Sequence, residues 1–302
     1  MSVSIFIDGE AGTTGLGLAQ RLRAKPEYSL ISLEDAHRKS PTARADAMAR
    51  ADLTVLCLPD DAARAAVETA PPGARILDAS TAHRTAPGWA YGFAELAPGQ
   101  AQRIAAATKV ANPGCYATGA IALLRPLVAA GFLPPEHNVS LHAVSGYSGG
   151  GKEMIAAHTA MGGPAFELYA LGLGHKHIPE IMAFSGLVRR PIFSPGVGHF
   201  PQGMLVCLPL FLDQLPGSPS GHELSEAYRE YYDGAQGVIA RAGIYAGTLQ
   251  PDAMNNTDAL EILVCANGQY DHALLIARLD NLGKGAVGAA VQNIGLMLGA
   301  AE

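Results

Sequence analysis

The sequence predicts an α/β protein: a parallel sheet covered on both faces, followed by a second region built on a mixed sheet. Three observations point there. Short apolar runs alternate with helically spaced segments over residues 3–114, and a glycine-rich turn follows the first run. Beyond residue 115 the apolar runs lengthen and alternate, as half-exposed strands do. The length, 302 residues, suits roughly two domains of about 150 residues.

The elements read in order as follows. VSIFID (3–8) is a short buried strand, and LGLAQRLRAK after the glycines has helical spacing, with apolar Leu16, Leu18, Ala19 and Leu22. YSLISLE (28–34) is the second strand and ARADAMARA (43–51) a helix. DLTVLCLP (52–59) is a third strand, stopped by Pro59. DDAARAAVETA (60–70) is a helix whose first-turn aspartates complement the macrodipole. ARILDAS (74–80) is the fourth strand, and KVANPG (109–114) ends another. ATGAIALLRPLVAAG is a helix, whereas VSLHAVSGYSGGG alternates and then dissolves into glycines. VGHFPQGMLVCLPLF, ALEILVCANG and HALLIARLDN read as strands, and HELSEAYREYYDG as a helix. The C-terminal segment KGAVGAAVQNIGLMLGAA is a small-residue helix with Val287, Val291, Ile294 and Leu298 on one face. No internal repeat or low-complexity tract interrupts this order.

Composition excludes several function classes. The net charge of −6 disfavours a nucleic-acid partner, because phosphates select basic faces. With 49% apolar residues and a mean hydropathy of +0.15, the chain can bury a large core. No apolar stretch approaches the roughly 18 residues of a membrane span, and MSVSIFIDGEAG lacks the pattern of a signal peptide. Four cysteines are too few for a disulfide framework, and no CxxC occurs. A reducing, cytoplasmic setting is expected, which makes the NxS/T matches at Asn138 and Asn255 accidental. Cys57, Cys207 and Cys265 each lie in an apolar run and are expected to be buried small hydrophobes.

Gly9, Gly12 and Gly15, with Thr13 and Thr14, form a GxxGxxG turn between a strand and a helix. Small residues let backbone approach a pyrophosphate, and the helix N-terminus favours its charge. Glu34 and Asp35, at the end of the second strand, suit a ribose 2′-hydroxyl, whereas Arg38 and Lys39 suit a 2′-phosphate. The residues alone leave NAD and NADP both open.

Asn112-Pro113-Gly114-Cys115-Tyr116 forces a sharp turn straight into an apolar helix. Cys115 therefore stands at a helix N-terminus, where N–H groups and the macrodipole stabilise a thiolate. Beside a dinucleotide turn, a nucleophilic thiol points to covalent hydride-transfer chemistry; the plain alternative is a helix cap. Such chemistry needs an acid/base near neutrality. His175 and His177 in GHKHIPE are the densest candidates, with His199 in GVGHFPQG as a second. HxH lacks an evident third ligand, so no metal is expected. His83 and Arg84 follow a strand end, where α/β sheets bind ligands. His37, His137, His158, His222 and His272 read as lone surface histidines. Ser145–Lys152 (SGYSGGGK) offers hydroxyls, N–H groups and a lysine to a phosphate or carboxylate, without the order of an ATPase P-loop.

Taken together, GEAGTTG, LPDDAA, DASTAHR, ANPGCYATGAI, AVSGYSGGGK, HKHIPEI, GHFPQGM and DNLGKGAVGAAVQNIGLMLG span residues 5–299. In combination they resemble the N-acetyl-gamma-glutamyl-phosphate reductase family, in its shorter form. The longer form reads closer to DLSADFR where this chain has DASTAHR, a departure at His83. The resemblance implies a Rossmann-type doubly wound domain that binds NADP, residues 1–116 and 283–302, with the last helix returning to it. It implies a mixed α/β domain for catalysis and oligomerisation, residues 117–282, and hence a homodimer or homotetramer. It makes Cys115 the nucleophile, His177 the acid/base and His175 a substrate contact. Gly9, Gly12, Thr13, Thr14, Gly15 and Arg38 are then expected to hold the nucleotide, with Pro59, Ser80, Asn281, Lys284 and Gly285 at its nicotinamide end. Arg84, Asn112, Ser145, Gly146, Ser148, Gly149 and His175 are expected around a small-molecule substrate. The implied reaction is NADPH-dependent reduction of an acyl phosphate through a Cys115 thioester, in arginine biosynthesis.

Aspartate-semialdehyde dehydrogenase and the carrier-bound lysine-pathway reductase share this chemistry. HKHIPEI argues for the glutamyl enzyme, and no basic patch invites a carrier protein. An idle nucleotide sensor would have a degenerate thiol site, and this chain retains Cys115, both histidines and the glycine turn.

Overall fold

The computed structural model describes residues 2–34 and 36–299. The chain divides into two compact units, Met1–Pro113 with Ala286–Glu302, and Gly114–Gly285.

The first unit contains β1 (Val3–Asp8), α1 (Thr13–Arg23), β2 (Tyr28–Ile31), α2 (Pro41–Arg50), β3 (Leu53–Leu56), α3 (Asp60–Glu68), β4 (Ile76–Asp78), β5 (Ala90–Tyr91), α4 (Gln100–Ala106) and β6 (Lys109–Ala111). Its strands run parallel in the order β2-β1-β3-β4-β6-β5. Alternation along β1 sends Ile5 and Ile7 to one face and Phe6 to the other. Ile5 and Ile7 meet Leu18, Leu22, Val55 and Ile294; Phe6 meets Met48, Leu56 and Ile76. Both faces are buried, which is why these strands are continuous apolar runs. Ser40 caps α2 by accepting the Ala43 N–H at 3.3 Å, and Pro41 opens that helix. Strand order reverses at β1, with β2 on one side and β3 on the other, so the carboxyl ends of β1 and β3 flank the switch point where such sheets bind ligands.

The second unit contains α5 (Cys115–Ala129), β7 (Ser140–Gly146), α6 (Gly151–Met161), β8 (Phe166–Leu168), α7 (Ile178–Ser185), β9 (Ile192–Gly198), β10 (Met204–Phe211), α8 (Gly221–Tyr231), β11 (Val238–Ile244), β12 (Leu260–Asn267) and β13 (His272–Leu279). Its mixed sheet has the order β11-β12-β13-β10-β7-β9-β8. Helix α5 lies against β10 and β13, and Gly119 allows the close approach: a Cβ there would stand 2.8 Å from Val206. Pro126 lies inside α5 and cannot donate to the Ala122 carbonyl. The Tyr232 hydroxyl donates to that carbonyl instead, at 3.0 Å, and Tyr228 donates to Leu123 at 2.6 Å. Tyr228 and Tyr232 thus allow a proline-containing helix to sit buried. The remaining helix, α9 (Gly288–Leu298), belongs to the first unit and packs on α1 and α4.

The boundary differs from the expected 116/117 and 282/283. Cys115, Tyr116 and residues 283–285 fall in the second unit, because α5 starts at Cys115 and packs there along its whole length. Segments without a clear period escaped the sequence reading: β5, α4, α6, β8, α7 and β11. The single expected run VGHFPQGMLVCLPLF holds β10 but only the last two residues of β9, since His199–Gly203 leaves the sheet between them. The strand cysteines are half-buried and not fully buried. Cys207 lies on the sheet face that α5 leaves uncovered, where β10 alternates buried and partly exposed residues. Among the described residues, no helix is long and apolar enough to cross a membrane.

Burial raises the Cys57 thiol from an ordinary 9.0 to about 12, helped by the Asp78 and Asp8 carboxylates. Burial, then Cys265, raises Cys207 to about 11. An unfolded chain ionises these thiols first, so the native state binds more protons above pH 9. Their contribution is complete below about pH 9 and is lost as pH rises through about 11–12. Melting temperature is expected to fall through that window, and less steeply in a Cys57→Ala Cys207→Ala variant. Equal slopes would rule these thiols out.

Candidate active site

In the first unit, the turn after β1 is shaped by what it cannot accommodate. Gly9 has φ +90°, and its missing Cβ would run into the Cys57 carbonyl at the end of β3. A Cβ on Gly15 would meet Glu10 Cα at 2.8 Å. Gly12 donates to the Gly9 carbonyl at 3.0 Å and precedes α1, whose first residues are Thr13 and Thr14. A cavity of about 340 Å³ opens beside this turn, lined by Asp8, Gly9, Leu33, Leu58 and three cations, Arg38, Lys39 and Arg44. Arg44 pairs with Asp8 at 2.5 Å. Burial raises the Asp8 carboxyl, and Arg44 opposes that rise. Glu34 is turned to the surface, 3.9 Å from His37, and Asp35 lies outside the described residues.

Further along the same unit, the DASTAHR segment forms a tight polar knot. Asp78 accepts from Ser80 Oγ at 2.7 Å and contacts His83 Nδ1 at 2.6 Å, while His83 stacks on Trp89 at 4.3 Å. Ser80 is therefore held by Asp78. Arg84 Nε donates to the Asn112 carbonyl at 3.0 Å. The Asn112 amide is engaged at both ends, donating to Ala286 and accepting from Asn293, each at 3.0 Å. Asn112 thus braces the unit through both ends of its amide. Pro59 stands exposed at the N-cap of α3.

In the second unit, Cys115 is half-buried at the first turn of α5. Glu180, buried on α7, accepts from the Gly114 N–H at 3.1 Å and pins the entry to that helix. The neighbouring Tyr116 ring stands 5.8 Å from His175 and 6.0 Å from His177, and the two imidazoles are 4.7 Å apart. The structure thus brings HKHIPE to the start of the Cys115 helix, across about 60 residues of sequence. Gly285 touches the same place: a Cβ on it would lie 2.8 Å from Cys115 Cβ.

The SGYSGGG segment is ordered by its neighbours. Gly146, Tyr147 and Ser148 donate to Gly203, Phe200 and Pro201 at 2.9, 2.9 and 3.1 Å. Asn281 locks the two loops together, donating to Ser148 Oγ at 2.9 Å and accepting from Gly203 at 2.8 Å. Ser145 Oγ donates to the Gly146 carbonyl at 3.1 Å, and a Cβ on Gly149 would stand 3.2 Å from that hydroxyl. Lys284 is buried and Lys152 exposed. His158 is not a surface residue: it is buried, with Nδ1 2.9 Å from His199 Nδ1, and Tyr147 stacks on it at 4.7 Å. His199 is thereby packed with His158 and Tyr147.

Residues 115–281, closely matching this second unit, belong to the family described as semialdehyde dehydrogenase, dimerisation domain. The chain is 49% identical over 306 residues to N-acetyl-gamma-glutamyl-phosphate reductase 2 of Pseudomonas putida, covering 99% of this chain and 97% of that protein. The chain belongs to the N-acetyl-gamma-glutamyl-phosphate reductase family. Its fold is that of aspartate semialdehyde dehydrogenase II from Vibrio cholerae, with TM-score 0.71, 15% identity and 100% of each chain covered. It is also that of aspartate semialdehyde dehydrogenase with NADP from Candida albicans, with TM-score 0.68, 14% identity and 99% of each chain covered. The α/β architecture expected from sequence therefore stands.

Arg44, Tyr116, Tyr169 and Glu180 were not legible from sequence as site residues. Glu180 carried a signal in its place beside the HKH cluster. Arg44 and Tyr169 carried none, because only folding brings them to the cavity and to His175.

Proposed function

We propose that this chain reduces N-acetyl-gamma-glutamyl phosphate to N-acetyl-glutamate 5-semialdehyde and phosphate, with NADPH, in arginine biosynthesis. The observation that carries the reading is Cys115 at a helix N-terminus with the His175–His177 pair packed around the adjacent Tyr116. Membership of the reductase family supports the substrate.

The unit Met1–Pro113 with Ala286–Glu302 is the nucleotide-binding domain in this reading. The residues fit the group: a turn with no room for side chains at Gly9 and Gly15 suits a pyrophosphate, and three cations line the cavity beside it. Arg38, Lys39 and Arg44 would hold the 2′-phosphate that distinguishes NADP from NAD. The chemistry supplied by the nucleotide when bound is a hydride for the thioester carbon.

Cys115 attacks the acyl carbon as thiolate. The C–S bond forms, the bond from carbon to phosphate oxygen breaks, and phosphate leaves. N–H groups at the start of α5 stabilise the oxyanion. After reduction, His177 donates a proton to the alkoxide of the hemithioacetal. It then takes the hydroxyl proton back as the C–S bond breaks, releasing the aldehyde and the thiolate. The 145–149 loop orients the substrate's anionic groups.

The unit Gly114–Gly285 also carries oligomerisation in this reading, as a homodimer or homotetramer. Leu274 and Phe211, exposed on β13 and β10, and Cys207 on β10 give its sheet an apolar face. A cytoplasmic setting keeps the Cys115 thiol reduced. The test is NADP reduction by N-acetyl-glutamate 5-semialdehyde with and without phosphate, with aspartate semialdehyde in parallel. Phosphate-dependent turnover of the acetylated substrate alone is expected. Turnover of aspartate semialdehyde instead overturns the substrate, and turnover of neither overturns the reaction.

A further inference from the structure

We propose that Tyr169 is a positioning residue: with Tyr116 it holds His175 as a neutral imidazole protonated on Nε2, so that proton exchange with substrate falls to His177. This deepens the reading of the site given above and rests on it for the identity of the reaction.

Two backbone groups at this site have hydrogen-bonding roles that admit no choice. At one end, the His177 N–H donates to His175 Nδ1 at 3.1 Å. A backbone N–H only donates, so Nδ1 presents a lone pair and the proton of the neutral ring lies on Nε2. That Nε2 faces the Tyr169 hydroxyl at 3.1 Å, so it donates and the phenol oxygen accepts. At the other end, the Gly196 carbonyl only accepts, and the Tyr116 hydroxyl donates to it at 2.8 Å. The two tyrosine hydroxyls are themselves hydrogen-bonded. Tyr116 directs its proton at Gly196, and Ser145 is a further hydrogen-bond partner of its hydroxyl. Donation therefore runs from the His177 N–H to His175 Nδ1, and from His175 Nε2 to the Tyr169 oxygen, with the tautomer set by the backbone N–H.

Protonating His175 would place a second N–H against the His177 N–H and lose a buried hydrogen bond. His175 is thus poorly suited to take a proton during turnover. The phenols stay neutral donors: burial raises Tyr169 to about 12 and raises Tyr116 further, and a negative Cys115 adds to both. The backbone between Tyr169 and His175 is built to hold this arrangement. Ala170 and Leu173 have φ of +53° and +55°, left-handed values that side chains rarely adopt. They persist where contacts over-determine them. Tyr169 N–H donates to Pro195 at 3.2 Å, Leu173 N–H to Ala170 at 2.9 Å, and Arg190 to the Leu173 carbonyl at 2.7 Å.

The test is long-range ¹H–¹⁵N NMR of the full chain labelled in its histidines, with His175 assigned through His175→Gln. His175 is expected to show unprotonated Nδ1 and protonated Nε2, without titrating between about pH 6 and 8, where an ordinary histidine does. In Tyr169→Phe the tautomers are expected to mix and His175 to titrate in that range. The same variant is expected to lose about tenfold in kcat with KM nearly unchanged, and its pH–rate profile to gain a second ionisation. A proton on Nδ1 of His175 in the unsubstituted protein overturns the proposal, whether or not the variant folds. So does a Tyr169→Phe variant with unaltered tautomer and pH profile. The NMR measurement needs no substrate, so failure of the glutamyl reading in the activity assay leaves this result separately decided.

Discussion

Cys115→Ser is expected to lower phosphate-dependent NADP reduction by about 10⁴-fold or more, with NADP affinity unchanged. Serine keeps the size of the side chain and the start of α5. It removes the thiolate, and an alkoxide at neutral pH is far scarcer, so neither the acyl attack nor the thioester that accepts hydride is available. The separation of binding from turnover follows from the two units, since the glycine turn and its cations belong to the first and Cys115 to the second. NADP titration by fluorescence beside the steady-state assay checks both halves. A variant within about tenfold of the parent would remove covalent catalysis from this protein.

Gly9→Ala is expected to cost the first unit about 3 kcal/mol and to weaken NADP binding by more than about a hundredfold. Two causes add. Gly9 sits at φ +90°, where an L side chain is strained, and the new methyl would drive into the Cys57 carbonyl, 3.2 Å from Leu58. That carbonyl belongs to backbone at the end of β3, which cannot rotate away, so the turn itself must move. Gly12→Ala is the informative companion. Its Cβ would meet nothing closer than 3.4 Å and its φ is −74°. It is expected to melt within a few degrees of the parent while binding NADP more weakly, because a methyl group now occupies the path of the pyrophosphate. Undiminished binding in Gly12→Ala would mean that the phosphates do not approach this turn.

The fold of the first unit was legible because its strands are buried on both faces. That burial writes continuous apolar runs into the sequence: VSIFID is β1 to the residue, and DLTVLCLP contains β3, which ends at Leu56 and not at Pro59. The second unit was less so. Helix α7 begins immediately after His177 with Ile178-Pro179-Glu180, too short a segment for a period to be read. Helix α6 grows from three glycines, which argue against a helix until Gly151 is seen as its first residue.

The site divides in the same way. The nucleotide turn and the thiol at a helix start are local features, determined by contiguous residues, and GEAGTTG and NPGCY declare them unaided. Contacts between distant segments are not written in any single stretch. Asn112 reads as a substrate contact from its place beside Cys115, yet its amide is taken up by Ala286 and Asn293. Asn281 reads as a nicotinamide contact, yet it ties Ser148 to Gly203. The sequence by itself determined the α/β class, the thiol and the pair of candidate histidines. Only the tertiary structure decided how those histidines differ. Hydrogen bonds have direction, and the group that imposes it on His175, the His177 N–H, is a backbone atom that no side-chain pattern records.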